Sequence, residues 1–118
     1  MKHLEPEDFD NTEKNTDKKI VLFYADWCPY CSKFKPIYEE KMLHITSKET
    51  NLIKNEFGAF VSKVNDDENP LWDRFSINSI PTIIAFDGNK IITRQDAKMG
   101  IGLTKNDLDQ LLRDLHLN

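Results

Sequence analysis

The residues best able to do chemistry are Cys28 and Cys31, the only two cysteines among 118 residues. They stand in the segment Trp27-Cys28-Pro29-Tyr30-Cys31. Two cysteines rule out a disulfide-rich scaffold, and one chain alone lacks the four thiolates of an all-cysteine structural zinc site. Exchange chemistry suits the spacing better. Three positions apart on a helix, the two side chains share a face with β-carbons about 5–6 Å apart, and a small adjustment closes a disulfide. So short a loop constrains the unfolded chain very little, which makes the bond a poor staple and an easily exchanged one. A thiol at a helix start also meets unpaired backbone N–H groups and the positive end of the helix dipole. Both favour the thiolate, which is the nucleophile. Cys28 is therefore expected to be the acidic, attacking thiol. Spectator thiols, or half of an inter-chain zinc or iron–sulfur site, are the alternatives for a CxxC pair; a βαβ context in a chain with no other cysteine favours redox work.

The elements that must position this pair are legible. Ile20-Val21-Leu22-Phe23-Tyr24-Ala25 has no polar interruption and reads as a central strand covered on both faces. Asp26-Trp27-Cys28-Pro29 ends it, and Pro29 suits a first helical position because its missing N–H has no partner to lose there. Phe34, Ile37, Tyr38, Met42 and Ile45 recur at helical spacing. Pro36 lies within that helix and predicts a kink rather than a stop. The polar stretch 46–57 either extends the helix or forms a short second one ending near Gly58.

Further on, 59–65 reads as a strand, and Pro70 opens a helix through Phe75 with Leu71, Trp72 and Phe75 on its apolar face. Ser79-Ile80-Pro81-Thr82 turns into a strand over 82–86, and Asp87-Gly88 signals a hairpin into the strand 90–94. Thr104 as N-cap, Asp107 three residues on, and Leu103 with Leu108 as a hydrophobic staple open a last helix with Leu108, Leu111, Leu112 and Leu115 on one face. Residues 1–18 are read as a polar arm or a short helix around Phe9, and residues 19–118 as the domain. Strands alternating with helices imply parallel pairing, and the hairpin adds an antiparallel one. The fold class is α/β, with a central mixed sheet of four or five strands flanked by helices.

Phe23-Tyr24-Ala25-Asp26-Trp27-Cys28-Pro29-Tyr30-Cys31 resembles the active-site strand and helix start of the thioredoxin family. Pro36 matches that family's proline in the active-site helix, 63–70 resembles its second core strand and the following loop, Ile80-Pro81-Thr82 its cis-proline turn, and Gly100 its substrate-groove glycine. The resemblance spans about residues 19–115 and implies the thioredoxin fold. It also implies roles. Cys28 would attack a substrate disulfide, and Cys31, buried beneath it, would resolve the mixed disulfide. Pro81, if cis, would lie against the cysteines, exclude metal and let Ile80 pair its backbone with a substrate peptide. Trp27, Ile80, Gly100 and Ile101 would form an apolar rim for protein substrates. Pro29, Tyr30 and Lys63 would tune thiol acidity. Ordinary readings exist for some of these: Trp27 and Trp72 as core, Lys63 as a strand-end lysine, Gly100 as a turn residue. His3, His44 and His116 carry no assigned role.

Three departures from the family stand out. Leu22 occupies the place of a buried carboxylate six residues before the first cysteine, the group associated with deprotonating the resolving thiol. Pro29-Tyr30 is the glutaredoxin-type dipeptide. Reference potentials are about −200 to −230 mV for glutaredoxins and about −270 mV for thioredoxin, so a more oxidising pair than thioredoxin's is expected. The stretch from Pro36 to Lys63 is also longer than usual, which fits a tolerated surface extension.

Charge and length narrow the function. Lys and Arg number 16 against 20 Asp and Glu, a net charge of −4, which argues against a nucleic-acid or anionic-membrane binder. At this length one domain is expected, able to fold without a metal or disulfide staple. The start of the chain has no apolar signal region, and the apolar runs 20–25 and 83–86 are far short of a membrane span. The reading is a cytoplasmic, monomeric protein-disulfide reductase with no cofactor or metal, acting on protein disulfides and recharged by a reductase or other electron donor. The alternatives are a glutaredoxin-like, glutathione-dependent reductase and a thiol oxidase or isomerase.

Overall fold

The computed structural model describes residues 2–3, 18–25, 27–48, 58–62, 71–87 and 90–115. Strand β1 is Lys2–His3 and β2 is Lys18–Tyr24; helix α1 is Pro29–Lys48 and β3 is Gly58–Ser62. Helix α2 is Leu71–Arg74, β4 is Thr82–Asp87, β5 is Lys90–Asp96, and α3 is Lys105–Asp114. The sheet has five strands in the order β1-β3-β2-β4-β5. β2 pairs parallel with β3 and antiparallel with β4, and β5 pairs antiparallel with β4.

The mixed sheet expected from the sequence is thus present, with five strands. The fifth is Lys2–His3, which runs parallel to β3 with Lys2 opposite Ala59. Two polar residues carry no hydrophobic periodicity, so nothing local marks them as a strand. The short helix expected around Phe9 lies outside the described residues, as do Pro70 and the 63–65 end of the strand expected over 59–65. Asp87 pairs with Lys90, as the hairpin reading requires, and the ladder shifts register between Ala85 and Phe86. Helix α1 continues through Pro36 and three residues beyond Ile45.

Alternation along β2 divides the interior in two. Ile20, Leu22 and Tyr24 face Phe34, Tyr38 and Met42 of α1 and Leu108, Leu111 and Leu112 of α3. Val21 and Phe23 face the other way, toward Ile84, Phe86 and Phe75. There the Phe75 ring meets Phe86 edge-on, with centroids 4.9 Å apart. All of β2 from Lys19 onward is buried, as the uninterrupted apolar run predicts for a strand with helices on both sides. Each large apolar side chain so buried stabilises the fold by roughly 1.5–3 kcal/mol. The Tyr38 hydroxyl satisfies itself by donating to the Ile20 carbonyl at 2.8 Å, which ties α1 to the strand leading into the cysteines.

Helix α3 begins as its sequence specifies. The Asp107 N–H donates to the Thr104 hydroxyl at 3.3 Å, and the Thr104 N–H donates to the Asp107 carboxylate at 2.9 Å, a complete capping box. The Arg94 guanidinium donates to the Phe75 carbonyl at 2.7 Å and so holds the segment after α2 to β5. That segment leads directly into the turn carrying Ile80 and Pro81.

Candidate active site

Strand β2 delivers the chain to the top of the sheet, and the Cys28 N–H closes a turn onto the Ala25 carbonyl at 3.2 Å. Helix α1 starts at Pro29, so Cys28 is the residue just before it. Its carbonyl accepts from the Ser32 N–H at 3.1 Å and from the Ser32 hydroxyl at 3.3 Å. This is the pattern of an N-cap residue whose C=O already serves the helix. Cys31 falls on the same stripe as Phe34, Tyr38 and Met42, the face that packs on β2. Helical period and sheet packing together drive it inward: Cys31 is 1% exposed, against 6% for Cys28.

Both cysteines are free thiols. Burial pushes the Cys31 thiol up to about 12, reinforced by a hydrogen bond to Cys28 and by the proximity of its charge, and only partly offset by a hydrogen bond from the Ala25 backbone. Cys31 therefore keeps its proton while sharing it with the neighbouring sulfur. The Cys28 sulfur also lies 3.8 Å from the Ile80 carbonyl oxygen. Ile80–Pro81 is a cis peptide bond, and Pro81 is buried. The turn is held by the buried Thr82, whose hydroxyl donates to the Ser79 carbonyl at 2.7 Å, and by Ser79, whose hydroxyl donates to the Ala97 carbonyl at 3.2 Å. Two chain segments 52 residues apart in sequence thus meet at Cys28.

Trp27 is 60% exposed, which removes the core reading of that residue, and Ile101 is 59% exposed. Ile80 is half-buried and packs against both cores. Pro29 and Tyr30 are exposed on the first turn of α1. Gly100 has a φ of +76° and open space around its α-carbon, so its backbone conformation, not a close neighbour, calls for glycine. Gly102 is the closer approach: it lies against Tyr30. The signal for it is the Gly100-x-Gly102 pair, in which the family resemblance picks out the first glycine alone. Lys63, Asp26 and the Trp72 side chain lie outside the described residues. Leu22 is fully buried in the same core as Cys31, where the family places a carboxylate.

Among the described residues, no group of three or more His, Cys, Asp or Glu side chains could hold a metal ion, and no helix is long and apolar enough to cross a membrane.

The thioredoxin family model matches residues 1–114. The chain belongs to the thioredoxin family. It is accordingly a thiol-disulfide oxidoreductase with the family's fold and redox-active cysteine pair. A thioredoxin of Mycoplasmoides gallisepticum is 32% identical over 114 residues, covering 96% of this chain and all of that protein. Protein disulfide-isomerase A5 of Mus musculus is 34% identical over 86 residues, 71% of this chain but 15% of that protein. Among solved structures, a Plasmodium falciparum thioredoxin superposes with a TM-score of 0.68 at 22% identity, covering 96% of this chain and 97% of that one. The reduced Schistosoma mansoni thioredoxin pre-protein gives the same score at 16% identity, covering 95% and 94%.

Proposed function

We propose that this oxidoreductase reduces protein disulfides, with Cys28 as nucleophile and Cys31 as resolving thiol. The observation that carries the assignment is the asymmetry of the pair. Cys28 stands at the helix start beside the exposed Trp27, whereas Cys31 lies beneath it and retains its proton. The Cys28 thiolate attacks one sulfur of a substrate disulfide; that bond breaks as a Cys28–substrate disulfide forms, and the other substrate sulfur leaves as a thiolate and is protonated. Cys31 then loses its proton and attacks the Cys28 sulfur, expelling the second substrate thiolate and leaving the Cys28–Cys31 disulfide. Two electrons have passed to the substrate, and a reductase or other dithiol donor returns them.

Trp27, Ile80, Gly100 and Ile101 form the rim against which a client docks, and the backbone of Ile80 pairs with its peptide. Pro29 and Tyr30, with Lys63, set the thiolate stability and hence a potential more oxidising than the about −270 mV of thioredoxin. Cytoplasmic location and a monomeric state belong to the same reading.

The test uses Cys31→Ser, which accumulates a mixed disulfide with a disulfide-bonded client, while Cys28→Ser forms none. Trapping through Cys31 in the Cys28→Ser variant would overturn the assignment. Recharging by NADPH and a thioredoxin reductase supports this reading; recharging solely by glutathione and glutathione reductase supports a glutaredoxin-like one. The similarity to the disulfide-isomerase A5 domain favours a second reading as thiol oxidase or isomerase, which a measured potential near the about −180 mV of protein disulfide isomerase would support.

A further inference from the structure

Residues 98–102 form a small closed loop. The Lys98 N–H donates to the Gly102 carbonyl at 3.0 Å, the Gly102 N–H returns a bond to the Lys98 carbonyl at 2.8 Å, and the Ile101 N–H reaches the same oxygen at 3.0 Å. At its base, the Lys98 ammonium sits 2.6 Å from an Asp107 carboxylate oxygen, which anchors the loop to the first turn of α3. Its tip carries Met99, fully exposed, beside Gly100 and the exposed Ile101. At its other end Gly102 is buried with φ +77°. A β-carbon there would fall 2.9 Å from the Tyr30 Cβ and 3.0 Å from its Cγ and Cδ1. Those atoms are the root of the side chain and the near edge of the ring, not a flexible end that can swing aside. Tyr30 itself sits in the first turn of α1, between the two cysteines.

We propose that Gly102 is a positioning residue. By lacking a side chain it lets Tyr30 close onto the loop, and this contact locks the 98–102 docking loop to the dithiol helix at a fixed separation from Cys28. α3 fixes one end of the loop and Tyr30 the other, so Ile101 and Met99 are presented to a client in register with the attacking sulfur. The inference deepens the protein-disulfide reading and rests on it, since a substrate too small to touch the rim has no use for the lock. It also gives Tyr30 a steric task separate from any effect on thiol acidity.

The experiment is a double-mutant cycle with Gly102→Ala, Tyr30→Gly and the pair; glycine at position 30 removes the Cβ as well as the ring. In each variant kcat/KM is measured for insulin, which must dock, and for a small aromatic disulfide, which need not. The ratio of the two values cancels changes in thiol reactivity common to both substrates. The expected result is that Gly102→Ala lowers the ratio at least tenfold, mainly through KM for insulin. In the Tyr30→Gly background, adding Gly102→Ala changes the ratio by less than twofold, because the Cβ and ring atoms it would strike are all gone. Strain at φ +77° alone acts equally in both backgrounds, so effects that multiply across the cycle overturn the lock. A wild-type protein that reduces the small disulfide but not insulin overturns the client-docking reading instead. Thermal denaturation of the four proteins reads the same coupling without any activity: a Gly102→Ala penalty that persists undiminished in Tyr30→Gly also overturns the proposal.

Discussion

Leu22→Asp should shorten the life of the mixed disulfide. Leu22 is fully buried on the face of β2 that carries Cys31 in its cluster, and no carboxylate occupies that position. Burial pushes the Cys31 thiol from 9.0 up to about 12 in the reduced pair, so it holds its proton at pH 7. In the mixed disulfide Cys28 no longer adds its thiol or its charge, but the burial persists, so if the thiolate is the attacking species resolution is slow at pH 7 and speeds up as pH rises, by up to about tenfold per unit. An aspartate at position 22 enters a desolvated site, which raises its pKa toward neutrality and makes it a fitting acceptor for the Cys31 proton. Resolution at pH 7 should then accelerate at least tenfold, with a flatter pH slope. The substitution also removes a buried leucine, at about 2–5 kcal/mol. Leu22→Asn carries a similar packing loss without a base and is the matched control. The assay is rapid acid quench during a single turnover with a disulfide client, followed by non-reducing separation of the mixed disulfide. Equal lifetimes for the Asp and Asn variants, or a pH-independent wild-type step, would refute the reasoning.

The same Cys31 shift makes stability depend on pH. A thiol pKa raised in the folded state favours folding fully below pH 9, and that contribution declines as pH rises toward 12. Urea denaturation of the reduced protein should show this alkaline loss, and Cys31→Ala should lessen it; an unchanged slope would contradict the assignment. At the acid end, burial pushes Asp107 up but hydrogen bonds from Lys98 and Thr104 more than reverse it, so its carboxyl lies below the usual value of 3.8. Its stabilisation is present above that value and is lost as pH falls through the lowered pKa, so Asp107→Asn should be less sensitive than wild type to acid. Asp107→Ala, which loses half the capping box, should cost about 1 kcal/mol and lower Tm by about 4 °C in calorimetry. Tyr38→Phe leaves the Ile20 carbonyl without its 2.8 Å hydroxyl partner and should cost about 1–2 kcal/mol in chemical denaturation.

Much of this molecule is legible without its coordinates. The run Ile20–Ala25 has no polar residue and so has to be buried on both faces; the capping box at Thr104 and Asp107 is a local pattern, complete within four residues. The helical stripe Phe34, Tyr38, Met42 is likewise written in spacing. The strand Lys2–His3 is not legible, because it exists only by pairing with β3 and has no pattern of its own. The continuation of α1 through Pro36 to Lys48 is open in the sequence for a related reason: the polar stretch beyond Ile45 carries little periodicity.

The chemistry divides in the same way. The sequence alone determined that the one reactive pair is a CxxC at the junction of a buried strand and a proline-started helix, and that the carboxylate position holds Leu22. Those are properties of adjacent residues, whose geometry the backbone sets. Only the tertiary structure decided that Ile80 brings its carbonyl to 3.8 Å from the Cys28 sulfur across 52 residues of chain. It also decided that Trp27 faces solvent rather than the core, and that Gly102 rather than Gly100 meets Tyr30. Contacts of that range arise when the sheet and its two cores fix the relative placement of segments, and a one-dimensional pattern does not specify the distance between them.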